Sequence, residues 1–255
     1  MSGKTIQSVE RAIKILELFR DDKLELSVKE ISDGLSVSKA TAHGLIKTLE
    51  KNGFLEQNEE TKKYKLGLKL FELGNLVARN MDLKQISKDH LLTLSKEVGE
   101  TIHLCIFDGN EVVYIEKVES PNALRMNSQV GKRAPMYCTG VGKVILAYLD
   151  EEKVKEIVDA TTFEPFTPHT ITNPEDLYHE LEEIRKQGYA VDDEEIELGL
   201  RCFAAPIFNH QGEVIASISC AGPKYKTTEK ELDEKINKVK ETALKISKRL
   251  GYKEN

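Results

Sequence analysis

SVKEISDGLSVSKATAHGLIKTLEKNGFLEQNEETKKYKL, residues Ser27 to Leu66, decides the fold of the first quarter of this chain. Ser27 and Glu30 have the spacing of a capping box, and Val28, Ile31 and Leu35 then share one helical face. Gly34 can end that helix, and Leu35-Ser36-Val37 is short enough for a tight turn. Ser38 is placed to cap a further helix reaching about Asn52, where Gly53 stops it. Two short apolar segments follow, Phe54 to Gln57 and Tyr64 to Leu66, joined by the polar loop Asn58 to Lys63. Upstream, Ile6, Val9, Ile13, Leu16 and Leu18 or Phe19 recur at steps of three and four, which predicts a helix over 6–20. Helix, helix, tight turn, helix and hairpin is the pattern of a winged helix-turn-helix.

A helix-turn-helix lays its last helix in the major groove, with the N-terminal residues toward base edges. The cap Ser38 and the outward residues Lys39, Thr41, Ala42, His43 and Lys47 are therefore the expected DNA face. Ala40, Leu45, Ile46 and Leu49 are expected inside. Lysine and threonine suit phosphates and bases, and alanine or threonine methyls suit thymine methyls. Lys62 and Lys63 at the wing tip are placed to meet phosphate. Gly44 interrupts the helix at a cost of about 1 kcal/mol relative to alanine, which either close packing or close approach to DNA would explain. The competing reading of the segment is a helical hairpin with a solvated face.

The charge distribution fits. Overall the chain is −6, but residues 1–66 hold 12 Lys/Arg against 11 Asp/Glu, and the rest hold 25 against 32. Local charge, not the sum, decides groove binding. The 255 residues are enough for one large or two small domains, and 40 % hydrophobic with 31 % charged residues is far from a disordered composition. No apolar run approaches the ~18 residues of a membrane span, and the N-terminus lacks a signal-peptide core. A cytoplasmic protein with no membrane partner is expected.

Leu70, Leu73, Leu76 and Val77 predict a helix over 68–80 that continues into 83–98, with Asp82 and Gln85 able to cap the second part. The domain boundary is placed in this connector. The expected division is 1–67, DNA-binding; 68–82, linker helix; 83–255, a second domain. That domain opens with alternating Ile102, Leu104 and Ile106. A turn at Asp108-Gly109-Asn110, a strand over 112–118 and a third strand over 124–130 follow. A loop over 131–139 leads to a helix over 141–149, and another helix starts near Asp150 or Glu151. Asn173-Pro174 opens a helix ending at Gly188. Strands over 189–192, 201–208 and 213–221 precede a last helix, boxed by Thr228 and Glu231 and reaching about Arg249. The class is α+β around an antiparallel sheet.

YCTGVGKVILAYL, Tyr137 to Leu149, is the most chemically suggestive stretch of this second domain. It is no nucleotide-hydrolase phosphate loop, because Val144 follows Gly142-Lys143 and no glycine stands at 137. Yet the glycines open a helix, where free amides and the helix dipole favour a carboxylate. Lys143 is expected either to face solvent or to cap a structural carboxylate. The four cysteines, Cys105, Cys138, Cys202 and Cys220, are single and in apolar contexts, so buried thiols are the plain expectation. Three other functions fit parts of the pattern. Cys138 or Cys202 with His103 or His210 would make a cysteine-dependent enzyme, but no elbow or fixed Cys/His signature supports it. His103 and Cys105 on one strand face, joined by Cys138 or His210, would make a metal-responsive sensor. An architectural DNA binder would have no use for the second domain.

SVERAIKILELF, VSKATAHGLIKTLEKNGFLEQNEETKKYKLGLKLFELG, GKRAPMYCTGVGKVILAYL and GYAVDDEEIELGLRCFAAPIFNHQGEVIASISCAGP together resemble the IclR family of bacterial transcriptional regulators over essentially the whole chain. The resemblance implies an N-terminal winged helix-turn-helix, a helical connector and a C-terminal effector domain like the GAF and PAS folds. It implies a repressor, not an enzyme, without a cofactor. Its partners would be palindromic double-stranded operator DNA, a second copy or three more in a homodimer or homotetramer, and a small organic or sugar-derived acid. Carried over by position, the effector pocket falls on Met126, Gly140, Val141, Gly142, Asp192, Leu200, Cys202, Ser219 and Ala221. Asp192 and Ser219 would bond effector hydroxyls. Ala221 stands where some relatives have serine. Gly44 stands where the family often has a larger residue, which shifts any phosphate contact onto Lys39, His43 and Lys47.

Overall fold

The computed structural model describes residues 5–20, 22–79, 82–119, 128–226 and 228–253. The chain divides into two compact units, Met1–Met81 and Asp82–Asn255.

In the first unit the helices are α1 (Gln7–Glu17), α2 (Val28–Gly34), α3 (Lys39–Lys51) and α4 (Leu68–Arg79), with a hairpin of β1 (Leu55–Gln57) and β2 (Tyr64–Leu66) before α4. The starts follow from local chemistry. Ser27 and Glu30 close a complete capping box, and the Ser38 side chain accepts the Thr41 amide. Gly53, at φ 76°, ends α3 in the left-handed region as a C′ residue. Ile15, Leu26, Ile31, Ala42, Ile46, Leu49, Leu55 and Tyr64 form the core. The segment before α2 adds to the hairpin, since Leu26 and Tyr64 exchange both backbone hydrogen bonds at 2.9 and 2.8 Å.

Among the described residues the second unit is built on a six-stranded antiparallel sheet. Its strands are β3 (Thr101–Asp108), β4 (Glu111–Val118), β5 (Arg133–Pro135), β6 (Ala190–Asp193), β7 (Leu200–Phe208) and β8 (Val214–Pro223), in the order β5-β4-β3-β8-β7-β6. The helices are α5 (Asp82–Val98), α6 (Gly140–Tyr148), α7 (Glu151–Asp159), α8 (Pro174–Gln187) and α9 (Glu229–Arg249). The α6 helix lies on one face, backed by α8, while α5 and α9 pack against the sheet through β3, β7 and β8. Helices on the sheet explain why β3 and β8 are buried almost residue after residue instead of alternating.

Two sequence expectations need revision. Arg133–Pro135, expected as loop, pairs with β4 through Val113, Val112 and Glu111. Of the strand expected over 124–130, Ser128 to Val130 are not in a strand, and 124–127 lie outside the described residues.

Candidate functional sites: a helix face and a cavity

On α3 the residues Lys39, Ala40, Thr41, His43, Gly44, Lys47 and Thr48 are exposed, whereas Ala42, Ile46 and Leu49 are buried. Ala42 is thus a correction: at 0 % exposure it belongs to the core, and Ala40 faces out instead. The core stripe runs Ala42, Ile46, Leu49, a four-then-three step, and Ala40 sits about 200° around the helix from Ala42. The hydroxyls of Ser38 and Thr41 lie 2.9 Å apart, so both are engaged in the cap. Lys47 is committed too, pairing with Glu50 at 2.7 Å and lying 6.0 Å over the Tyr64 ring. A Cβ added at Gly44 would meet nothing within 4 Å, so close packing does not explain that glycine. Lys62 is exposed at the wing tip with φ 58°, and Lys63 is half-buried beside it.

In the second unit a cavity of about 370 Å3 opens between α6, β3, β7 and β8. Of the expected pocket residues, Gly140, Val141, Asp192, Leu200, Cys202, Ser219 and Ala221 all line it. Met126 lies outside the described residues. Gly142 is a correction, because it does not line the cavity. Its amide donates to the Thr139 side chain at 3.2 Å, and an added Cβ would stand 2.4 Å from Met136 Cα and 2.5 Å from the Met136 carbonyl oxygen. Gly142 lets α6 pass over the Met136 backbone. The Gly140 and Val141 amides, at the same helix start, have no hydrogen-bond partner among the described residues.

The first turn of α6 is fastened from both sides. Thr139 Oγ1 donates to the Pro135 carbonyl at 2.7 Å, and Ser217 Oγ donates to the Val141 carbonyl at 3.1 Å. Behind it Lys143, 1 % exposed, reaches Glu180 at 2.9 Å and makes a shorter ion pair with Glu195. Of the two expectations for Lys143, the buried structural ion pair is the one observed.

Residues outside the expected set complete the wall. His103 and Tyr114 line the cavity with their rings 5.2 Å apart, edge to face. His103 Nε2 lies 2.8 Å from Ser128 Oγ, and Nδ1 lies 3.4 Å from Ser219 Oγ. Burial, and then the charge of Lys117, push His103 down to about 3, so the ring is neutral. Asp192 is pushed up to about 7 by burial and by Glu195, although its Oδ1 accepts the Glu195 amide at 2.8 Å. Lys132, Arg133 and Glu197 stand exposed at the rim. The two-residue period of a strand puts His103 on the face opposite Ile102 and Leu104, but nothing near it in sequence points to Ser219, 116 residues away.

The rival chemistries find little here. All four thiols are buried, and burial raises each above its ordinary value, Cys138 to about 12, which disfavours the thiolate a nucleophile needs. Among the described residues no three His, Cys, Asp or Glu side chains converge as metal ligands, and both His103 nitrogens face serine hydroxyls. No helix among the described residues is long and apolar enough to cross a membrane.

Two family models match the chain. One, the IclR helix-turn-helix domain, covers residues 8–59, and the other, bacterial transcriptional regulator IclR C-terminal, covers residues 75–248. The HTH-type transcriptional regulator XynR of Escherichia coli K12 is 41 % identical over 247 residues, 97 % of this chain and 98 % of that one. The crystal structure of the Thermotoga maritima IclR is 40 % identical with a TM-score of 0.79, covering 97 % of this chain and all of that one. An IclR homologue from Microbacterium hydrocarbonoxydans, solved in complex with 4-hydroxybenzoate, is 26 % identical with a TM-score of 0.84, covering 96 % and 99 %.

Proposed function

The chain belongs to the IclR family of bacterial transcriptional regulators, and from that premise we propose a cytoplasmic repressor that grips a two-fold symmetric operator and is switched by a small organic or sugar-derived acid. In this reading residues 1–67 bind DNA, 68–82 link, and 83–255 bind the effector. The observation that carries the effector reading is the meeting, in one cavity, of the two unpartnered amides at the start of α6 with Asp192, Cys202 and Ser219. Amides at a helix start suit a carboxylate, and a few convergent polar groups in an apolar lining suit a small ligand. The carboxylate ligand of the Microbacterium relative is of the same chemical kind. A melting screen against small carboxylic and sugar acids tests it, since a ligand at 100 times its Kd adds about 2.7 kcal/mol. An acid that raises the melting temperature and releases operator DNA identifies the effector. If no acid in a broad panel binds, the cavity is not an acid site.

For DNA, the outward residues of α3 supply the contacts. Lys39→Ala should weaken operator binding and reduce the salt slope by about one. Lys47→Ala should do less, because Lys47 already carries the Glu50 carboxylate. His43→Ala or Thr41→Ala should alter sequence preference instead. Titrations at several salt concentrations check all four, and four unchanged variants would remove α3 from the groove.

Two exposed apolar surfaces support assembly. Ile6, the N-cap of α1, and Val9 and Ile13 on that helix are 67, 52 and 51 % exposed, and Leu68, Phe71 and Leu76 on α4 are 70, 68 and 55 % exposed. Apolar surface of that extent calls for cover, and one winged helix reads too few base pairs for useful specificity. A dimer or tetramer is expected by sedimentation at micromolar concentration, with a footprint of two-fold symmetry. A stable monomer protecting a single half-site would contradict it.

A further inference from the structure

The turn of the wing is held by an acid from outside the hairpin. Residues 58–63 reverse the chain with Lys62 in the left-handed region, at φ 58°, which a side chain such as lysine rarely adopts unaided. Within the turn, the Asn58 side-chain oxygen accepts the amides of Glu60 and Thr61 at 2.9 and 3.2 Å. The Thr61 hydroxyl oxygen accepts the Lys63 amide at 3.3 Å. Both side chains could rotate out of these roles. What orients them is Glu25, whose Oε1 takes the Asn58 Nδ2 donor at 2.7 Å and whose Oε2 takes the Thr61 hydroxyl at 2.9 Å. Glu25 is itself fixed, because the next residue, Leu26, is locked to Tyr64 by two backbone bonds. Each carboxylate oxygen thus holds one of the two side chains that shape the turn.

We propose that Glu25 is a positioning residue for DNA binding, stapling the wing turn so that Lys62 and Lys63 are presented to phosphate. This rests on the reading of the wing as part of the DNA face. An acid beside a surface that meets a polyanion is unfavourable on charge alone, so its two hydrogen bonds must supply a compensating benefit. The carboxylate is also held below its ordinary value, first by the Asn58 bond, then by the Thr61 bond, with smaller help from Lys63 and Lys65. It is therefore ionised whenever DNA is bound near neutral pH.

Charge and positioning predict opposite signs for the same substitution, which makes the test decisive. Glu25→Gln removes a negative charge and keeps one acceptor, while Glu25→Ala removes both acceptors. The probe is a duplex recovered by the wild-type full-length protein from a randomised pool. Positioning predicts that Glu25→Gln weakens binding about threefold and Glu25→Ala about tenfold, with a lower salt slope, as expected when phosphate contacts are lost. In a background of Lys62→Ala and Lys63→Ala, both Glu25 substitutions should have little further effect, since the residues they position are gone. Tighter binding by Glu25→Gln overturns the proposal, as does an equal loss in the lysine-free background, which would mean a general weakening of the fold. If Lys62→Ala with Lys63→Ala leaves wild-type binding and salt slope unchanged, the wing does not face DNA and the proposal falls with that reading. If the lysine pair contributes but both Glu25 variants bind as the wild type does, the staple alone fails and the reading of the wing stands.

Discussion

Lys143→Ala should destabilise the second unit by about 3–5 kcal/mol, the range found when one partner of a buried ion pair is removed. The ammonium is buried and serves two acids. Glu180, whose side chain is 33 % exposed, can turn to water once its partner is gone. Glu195 cannot: its side chain is 8 % exposed, and its Oε2 has no hydrogen-bond partner among the described residues even with Lys143 in place. Burial would pull Lys143 down, but Glu195 and Glu180 outweigh it and hold the ammonium above its ordinary value. Glu195 itself is held above the usual carboxylate range, by burial first, with Lys143 opposing. Without Lys143 it rises further. A carboxyl whose folded value exceeds its unfolded one binds more protons when folded, so stability is lost as pH rises from the unfolded value through the folded one. The deficit of Lys143→Ala should therefore be small near pH 4.5 and grow as pH rises. Lys143→Met with Glu195→Gln should regain much of it, since a neutral amide costs far less to bury than an unpaired carboxylate. Denaturant melts at several pH values measure all three proteins. A neutral-pH loss under about 1 kcal/mol would mean that water reaches Glu195.

Nothing in the sequence around Lys143 announces that role, and the reason is general to what was and was not legible. Signals that act within a few residues survived translation into structure. The capping boxes at Ser27 and Thr228, the cap at Ser38, the stop at Gly53 and the Asn173-Pro174 start all depend on neighbours in the chain. The winged helix is built almost wholly of such signals. Its one error, exchanging Ala40 and Ala42, arose where two small residues gave no amphipathic contrast to set the helix phase. The second unit is governed by distant partners. Lys143 meets acids 37 and 52 residues on, and His103 meets a serine 116 residues on. A lysine read alone is a solvated lysine. Gly140 and Gly142 look equivalent in sequence, and only the path of the Met136 backbone tells them apart. Family resemblance, carried position by position, supplied the cavity residues that local patterns could not.

That difference between the two glycines gives the last expected result. Gly142→Ala should cost about 3 kcal/mol, at the upper end for overpacking, because its Cβ would strike backbone atoms of Met136 and not a side chain that can swing away. Gly140→Val should behave oppositely. A Cβ at Gly140 stands 3.4 Å from Ala204 Cβ and 3.5 Å from Cys202 Sγ, ordinary contact distances, so the backbone there accommodates a side chain. The two further methyls of valine should crowd the space beside the free amides, where the effector carboxylate is proposed to sit. Gly140→Val should keep operator binding and a near wild-type melting temperature while losing the effector response. Ser219→Ala, which removes one hydroxyl from the opposite wall, should lose about 1 kcal/mol of effector affinity, several-fold in Kd. Asp192 adds a pH signature. With its carboxyl pushed up to about 7, it is half protonated near neutrality. A bound anion raises it further, so affinity for an acid should fall as pH climbs through 7. Asp192→Asn should flatten that dependence. Calorimetric titration with the acid identified by melting, beside operator release, measures each variant. If Gly140→Val binds that acid as the wild type does, the carboxylate does not sit on the α6 amides and the effector site must be sought elsewhere in the second unit.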